Sequence, residues 1–184
     1  GKLALYHVVL PCSDHVFVQS GQMKRDIAAY GVPEEKMTPV PMGVPDRIFA
    51  SPQARQTQIQ PGQIVYIGTL AAVRRMHVLI EAFAKVHACF PDARLVIVGD
   101  GDAPWERASL EQLAQQLGLD QMIRFTGFLP IDQAWEIAAA AQFCVSPIYP
   151  TPVLNAGSPT KLVEYMALGR PVVCNDHPEQ LEII

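Results

Sequence analysis

Two arginines, one lysine and one glutamate stand where chemistry could be done. Arg74 and Arg75 follow Gly68 by six and seven residues, in a loop that enters a helix. A guanidinium placed there can grip a diphosphate at two points. Lys161 lies in the first turn of a helix that opens near Ser158 and Pro159, and Glu164 lies about two turns in. A helix opening offers unpaired N–H groups and a positive dipole end, which together suit a phosphate. A lysine at that opening opposes the dipole, so an anionic ligand would give it a reason to be there. Glu164 would then stand behind the anion, within reach of a sugar hydroxyl. The residues alone leave open the plainer alternatives of a solvated arginine and an ordinary capped helix.

The elements that would carry these residues alternate. Residues 15–20, 36–41, 64–68, 94–98, 122–126, 142–146 and 171–174 read as short strands, rich in branched and aromatic side chains. Between them, residues 22–30, 105–117, 131–141 and 158–169 read as helices, and residues 178–184 as a further one. In the helix after Arg75, the residues Val78, Leu79, Ala82, Phe83 and Val86 are expected to form the inward face, and in the next helix Leu110, Leu113 and Leu117. Ser158 is expected to cap its helix with Pro159 at the first position. Strands without two-fold alternation, separated by helices, imply an α/β fold with a Rossmann-like parallel sheet and helices on both faces. Ligands of such sheets bind outside the carboxyl ends of the strands. Gly68, Gly99, Gly127 and Ser146 all fall at those ends. Each glycine alone is a turn residue, whereas three at successive strand ends also suit close approach of a ligand to bare backbone. Gly99-Asp100-Gly101 lacks the third glycine of a dinucleotide fingerprint, and no P-loop pattern occurs.

Composition narrows the classes further. Fourteen basic and eighteen acidic residues in 184 give a net charge of −4, with 49% hydrophobic residues. That balance, without a basic block, argues against a nucleic-acid partner. No apolar run is long enough to span a membrane. The opening residues 1–7 lack a signal peptide's apolar core, so a cytoplasmic location is expected, with peripheral attachment to a membrane left open. Cys12, Cys89, Cys144 and Cys174 lack metal-ligand or framework spacing and are expected to be buried, reduced thiols. The five histidines also lack ligand spacing, so no metal is expected. Residues 49–62, rich in Ser, Pro, Gln and Arg, read as a linker between residues 1–48 and 63–184.

Taken together, Tyr66-Ile67-Gly68-Thr69-Leu70, Arg74, Leu79-Ile80-Glu81-Ala82-Phe83, Leu95-Val96-Ile97-Val98-Gly99-Asp100-Gly101, Phe125-Thr126-Gly127-Phe128 and the run from Lys161 to Val173 are similar to group 1 retaining glycosyltransferases. Those proteins have two Rossmann-like domains with a nucleotide-sugar between them. The resemblance implies that residues 1–48 are the end of the acceptor-side domain and 63–184 the donor-binding domain. It implies a nucleotide diphosphate-sugar donor as substrate, no separate cofactor, and a saccharide, lipid or small-molecule acceptor. Gly68 would admit the phosphates, Arg74 would grip them, and amides near Thr160 and Lys161 would hold their oxygens. Backbone around Phe128 and Leu129 would meet the base, and Glu164 the ribose hydroxyls. Catalytic groups from the acceptor domain would lie outside this chain, which alone would be inactive. Two positions depart from the family pattern: Ala156 stands where a sugar-contacting glutamate is usual, and Thr69 where an arginine is usual. Those departures keep alive a non-catalytic sugar-nucleotide-binding module, and the shared architecture a sugar-nucleotide epimerase.

Overall fold

Unbroken apolar runs decide the architecture, because each central strand can bury both of its faces. The computed structural model of the chain describes residues 4–50 and 57–184. It opens on a π-helical stretch, Leu5–Val9, which runs into a short α-helical turn, Leu10–Cys12. Strand β1 (Val16–Val18) leads into helix α1 (Gly21–Ala28), capped by the Ser20 hydroxyl, which accepts from the Met23 amide at 2.8 Å. After the 3-10 turn Glu34–Lys36, strand β2 (Met37–Pro39) pairs in parallel with β1. Val18, Ile27, Val32 and Met37 bury between them.

Helix α2 (Arg47–Ala50) follows and buries Ile48. The expected linker at 49–62 therefore opens inside a helical turn, and its residues 51–56 lie outside the described residues. Strand β3 (Gln63–Ile67) is followed by a 3-10 turn, Ala72–Arg74, and helix α3 (His77–Cys89). Strand β4 (Arg94–Val98), helix α4 (Pro104–Gln116), strand β5 (Ile123–Gly127), helix α5 (Ile131–Ala139) and strand β6 (Phe143–Ser146) come next. The chain then makes a short helix α6 (Pro152–Asn155), helix α7 (Thr160–Ala167), strand β7 (Val172–Cys174) and helix α8 (Pro178–Ile183).

Strands β3 to β7 form one parallel sheet in the order β5-β4-β3-β6-β7. Ile64, Tyr66, Leu95 and Ile97 bury on one face with Ile80 and Phe83 of α3 and Leu110 and Ala114 of α4. Val65, Val96 and Val98 bury on the other with Ala134, Trp135 and Ala138 of α5 and Tyr165 of α7. This is the Rossmann-like parallel sheet with helices on both faces that the apolar runs imply. The described residues gather into two compact units, Gly1–Gly43 with Pro150–Thr160 and Asn175–Ile184, and Val44–Tyr149 with Lys161–Cys174.

Several expectations shift in register. Val78 is 47% exposed and Val86 and Ala82 are also outward, while Met76, Ile80 and Phe83 turn inward. An almost unbroken apolar run carries two competing helical stripes, and the sheet selects one of them. Leu117 is 43% exposed, and Leu119, just past the helix, takes the buried position instead. Cys144 is buried, with its thiol pushed up to about 12 by burial, but Cys12 and Cys89 are exposed and Cys174 is half-buried. All four are free. Helix α6 has a sequence signal that the reading above passes over: Thr151 caps it, accepting from the Leu154 amide at 3.1 Å, with Pro152 at the first position.

Candidate functional site

The sheet order places the site. Strand β3 lies between β4 and β6, so the connections on either side of it depart in opposite directions, which opens a crevice at the carboxyl ends of β3 and β6. The turn after β3 and helix α7 from Lys161 onward both belong to the second unit. Arg74 closes the turn Ala72–Arg74, and its Nε donates to the Thr69 Oγ1 at 2.7 Å. Thr69, which replaces the family's usual arginine, thus orients Arg74. Lys161 enters from α7, with its Nζ 5.7 Å from the Tyr66 ring centroid. Burial, with the Arg74 charge second, holds the Lys161 amine down at about 8, offset in part by Glu164. Among the described residues neither cation forms an ion pair.

Gly68 sits beneath these groups. A Cβ built there would meet the Tyr66 hydroxyl at 2.7 Å and Lys161 Cε at 3.3 Å. The missing side chain therefore lets Lys161 lie across the strand end. Gly99, on the neighbouring strand end, has a different reason: a Cβ there would collide with the Gly68 carbonyl. The ends of β3 and β4 are stitched by Gly68 N–H donating to the Val98 carbonyl at 2.9 Å and Leu70 N–H to the Asp100 carbonyl at 2.9 Å. Gly127 faces Arg107 Nη1, which would lie 3.0 Å from an added Cβ. Of the strand-end glycines, Gly68 alone lies against Lys161.

Glu164 is half-buried one turn after Lys161, and burial raises its carboxyl above the usual carboxylate value. The buried Trp135 indole N–H makes no hydrogen bond of good geometry yet lies near enough to draw that value partly back, as does Lys161. Phe128 is 84% exposed directly after β5, whereas Leu129 packs partly buried against the core beside Trp135. Thr160 is the first residue of α7. The Ser158 hydroxyl, expected as the cap of that helix, instead accepts from the Met42 amide at 2.9 Å, and α7 opens one residue later than expected. Ala156 offers its carbonyl to the Ser20 hydroxyl at 2.7 Å.

Two tyrosines escape the reading of residue types, and Arg75, named there beside Arg74, turns to a different partner. Tyr66 forms the floor beneath Lys161, its phenol pushed up to about 12 by burial and drawn partly back by Arg74. Tyr165 is fully buried, and its hydroxyl accepts the Ile67 amide at 2.7 Å, pinning α7 to the end of β3. Arg75 is the one non-glycine residue with positive φ, at 49°, among the described residues. Its Nη1 donates to the Tyr149 hydroxyl at 2.7 Å while its guanidinium stacks 4.1 Å from that ring's centroid. An aromatic in an apolar strand gives no sequence signal of such roles, and the Arg75–Tyr149 pair spans 74 residues.

Comparison with known proteins agrees with this fold. The profile of the family described as "Glycosyl transferases group 1" matches residues 61–184. WcaL of Salmonella typhimurium, named as a colanic acid biosynthesis glycosyltransferase, is 31% identical over 179 residues, covering 95% of this chain and 41% of that protein. Phosphatidyl-myo-inositol mannosyltransferase of Mycobacterium leprae is 35% identical over 141 residues, covering 74% of this chain and 34% of that protein. The chain thus spans well under half the length of these relatives. The crystal structure of Anabaena Alr3699/HepE in complex with UDP and glucose superposes with a TM-score of 0.78 at 20% identity, over 97% of this chain and 49% of that one. In its fold, its matched residues and its relatives, the chain belongs to the group 1 glycosyltransferases.

Proposed function

We propose that this chain is the donor-binding part of a retaining glycosyltransferase that uses a nucleotide diphosphate-sugar. The observation that carries the reading is the nearness of Arg74 and Lys161 to each other beside Tyr66, with Lys161 lying against Gly68, at the switch point of the sheet. Two neighbouring cations, one of them deprived of water, repel each other and lack a carboxylate partner in ion-pair range among the described residues. A dianionic diphosphate relieves both costs at once. Lys161 and the amides at the opening of α7 near Thr160 would hold phosphate oxygens, and Arg74 would grip them in a fork. Glu164 would accept the ribose hydroxyls, and the backbone at Phe128 and Leu129 would border the base. HepE, whose crystal structure is in complex with UDP and glucose, lends support through a shared fold alone.

In transfer, the bond from the sugar's anomeric carbon to the diphosphate oxygen breaks and one to an acceptor oxygen forms. Negative charge gathers on the departing diphosphate, where fixed cations and amides stabilise it. Residues 1–48 would belong to the acceptor-side domain and residues 63–184 to the donor side. The acceptor would be a saccharide, lipid or small molecule, bound by groups outside this chain. A thermal-shift panel of UDP- and GDP-sugars tests the reading. At least one donor raises the unfolding temperature of the wild-type chain, and Glu164→Ala removes that rise. Equal protection of wild type and Glu164→Ala would remove Glu164 from the site.

A further inference from the structure

We infer that Glu106 is a positioning residue for Arg74, holding the turn that presents this cation to a diphosphate; the inference rests on the diphosphate reading of Arg74 above. Glu106 lies in the first turn of α4, 34 residues from Ala72, and is 7% exposed. A surface glutamate in a first helical turn would normally answer the helix dipole and nothing more. Here one carboxylate oxygen, Oε1, accepts the Ala72 amide at 2.6 Å, and the other, Oε2, accepts the Ala103 amide at 3.0 Å. Ala72 is the first residue of the turn that ends on Arg74, so its amide is one that the turn itself leaves unpaired. The same carboxylate thus closes the opening of α4 and clamps the turn after β3.

The surroundings are cut to admit this side chain. A Cβ on Gly101 would meet Glu106 Cβ at 2.7 Å and Glu106 Oε2 at 2.9 Å. The second glycine of Gly99-Asp100-Gly101 is therefore accounted for by Glu106, as the first is by the Gly68 carbonyl. With Leu70 N–H on the Asp100 carbonyl and Arg74 Nε on Thr69, residues 69–74 are fixed at three places. Removing Glu106 leaves Arg74 attached only through Thr69 and the turn's own backbone. Backbone hydrogen bonds, those from Ala103 and Ala72 first, hold its carboxyl below the usual carboxylate value, so it stays ionised through the neutral range.

The test is a double-mutant cycle on pyrophosphate affinity at neutral pH, measured by titration calorimetry on the purified protein, with Arg74→Ala, Glu106→Ala and the pair. Arg74→Ala weakens pyrophosphate binding by roughly tenfold or more. Glu106→Ala weakens it by about tenfold in the wild-type background and by less than about twofold when Arg74 is already absent. Such non-additivity is not expected of a carboxylate that only stabilises the fold. Equal losses in both backgrounds, or none in either, overturn the positioning role while leaving Arg74 in the site. An Arg74→Ala variant that binds pyrophosphate as the wild type does overturns both readings. If Glu106→Ala does not fold, Glu106→Gln carries the same cycle: it keeps the volume and can retain only one of the two accepted bonds, so its loss is smaller but disappears in the same way without Arg74.

Discussion

At the scale of single residues the site is governed by where each charge sits on the pH axis. Lys161, held at about 8 by burial and by Arg74, is only partly protonated in weakly alkaline solution. A bound diphosphate would raise its pKa, so binding above about pH 8 must take up a proton. Affinity for a UDP- or GDP-sugar should therefore be level near neutrality and fall as pH rises through about 8, by up to about tenfold per pH unit. Lys161→Arg, whose guanidinium stays charged, should flatten that limb. An unchanged alkaline limb in Lys161→Arg would take Lys161 out of the anion site. The acid side has the opposite sign. Burial raises the Glu164 carboxyl, so the carboxylate that would accept ribose hydroxyls is lost as pH falls through a value above its ordinary one. Donor affinity should fall there in the wild type.

Elements matter because they deliver these residues from distant parts of the chain to one strand end. Helix α7 brings Lys161 and Glu164, and Tyr165 fastens it by accepting the Ile67 amide at 2.7 Å. Tyr165→Phe keeps the packing but leaves that amide unpaired, which should cost about 1–3 kcal/mol of stability in urea unfolding. A loss below that range would mean that water replaces the hydroxyl. The ends of β3 and β4 depend on Gly99 in the same way. Gly99→Ala, at φ 136° and against the Gly68 carbonyl, should destabilise by about 1–3 kcal/mol and weaken pyrophosphate binding together. Unchanged binding in a folded Gly99→Ala protein would show that the phosphate site tolerates a displaced β3 end.

How legible this was in the sequence follows from the range of each interaction. Strand and helix placement came from local apolar runs, and the cations at 74 and 161 came from their position beside element ends. The inward stripe of α3 came only in part: Phe83 and the partly buried Leu79 face the core as expected, but Val78, Ala82 and Val86 do not, because residues 78–80 and 82–84 satisfy two helical faces and only the sheet chooses between them. Glu106 was hidden for a related reason: in sequence it is a first-turn acid, and its role exists only through Ala72 and Gly101. The glycines misled in part. Three strand-end glycines suggested a ligand against bare backbone, yet Gly99 answers to a neighbouring carbonyl and Gly127 to Arg107.

For the whole molecule the decisive quantity is how much of a transfer site this chain can supply. Its matched residues carry the cations, the carboxylate and the strand ends, while the chain spans 41% of WcaL and 34% of the mannosyltransferase. Binding and turnover make different demands on that inventory. Binding needs a diphosphate grip, which Arg74, Lys161 and Gly68 can provide within one unit. Transfer needs an acceptor hydroxyl held against the anomeric carbon, and such positioning can supply about 7–11 kcal/mol toward the barrier. Among the described residues, those placed at the crevice above are proposed to bind the donor, and none is assigned to the acceptor. The chain should therefore bind a nucleotide-sugar and protect it without transferring the sugar. Coupled detection of released nucleoside diphosphate, with acceptors offered in turn, checks this expectation. Sustained release by these 184 residues would place an acceptor-positioning group inside the chain, and the crevice at the carboxyl ends of β3 and β6 would be where to look for it.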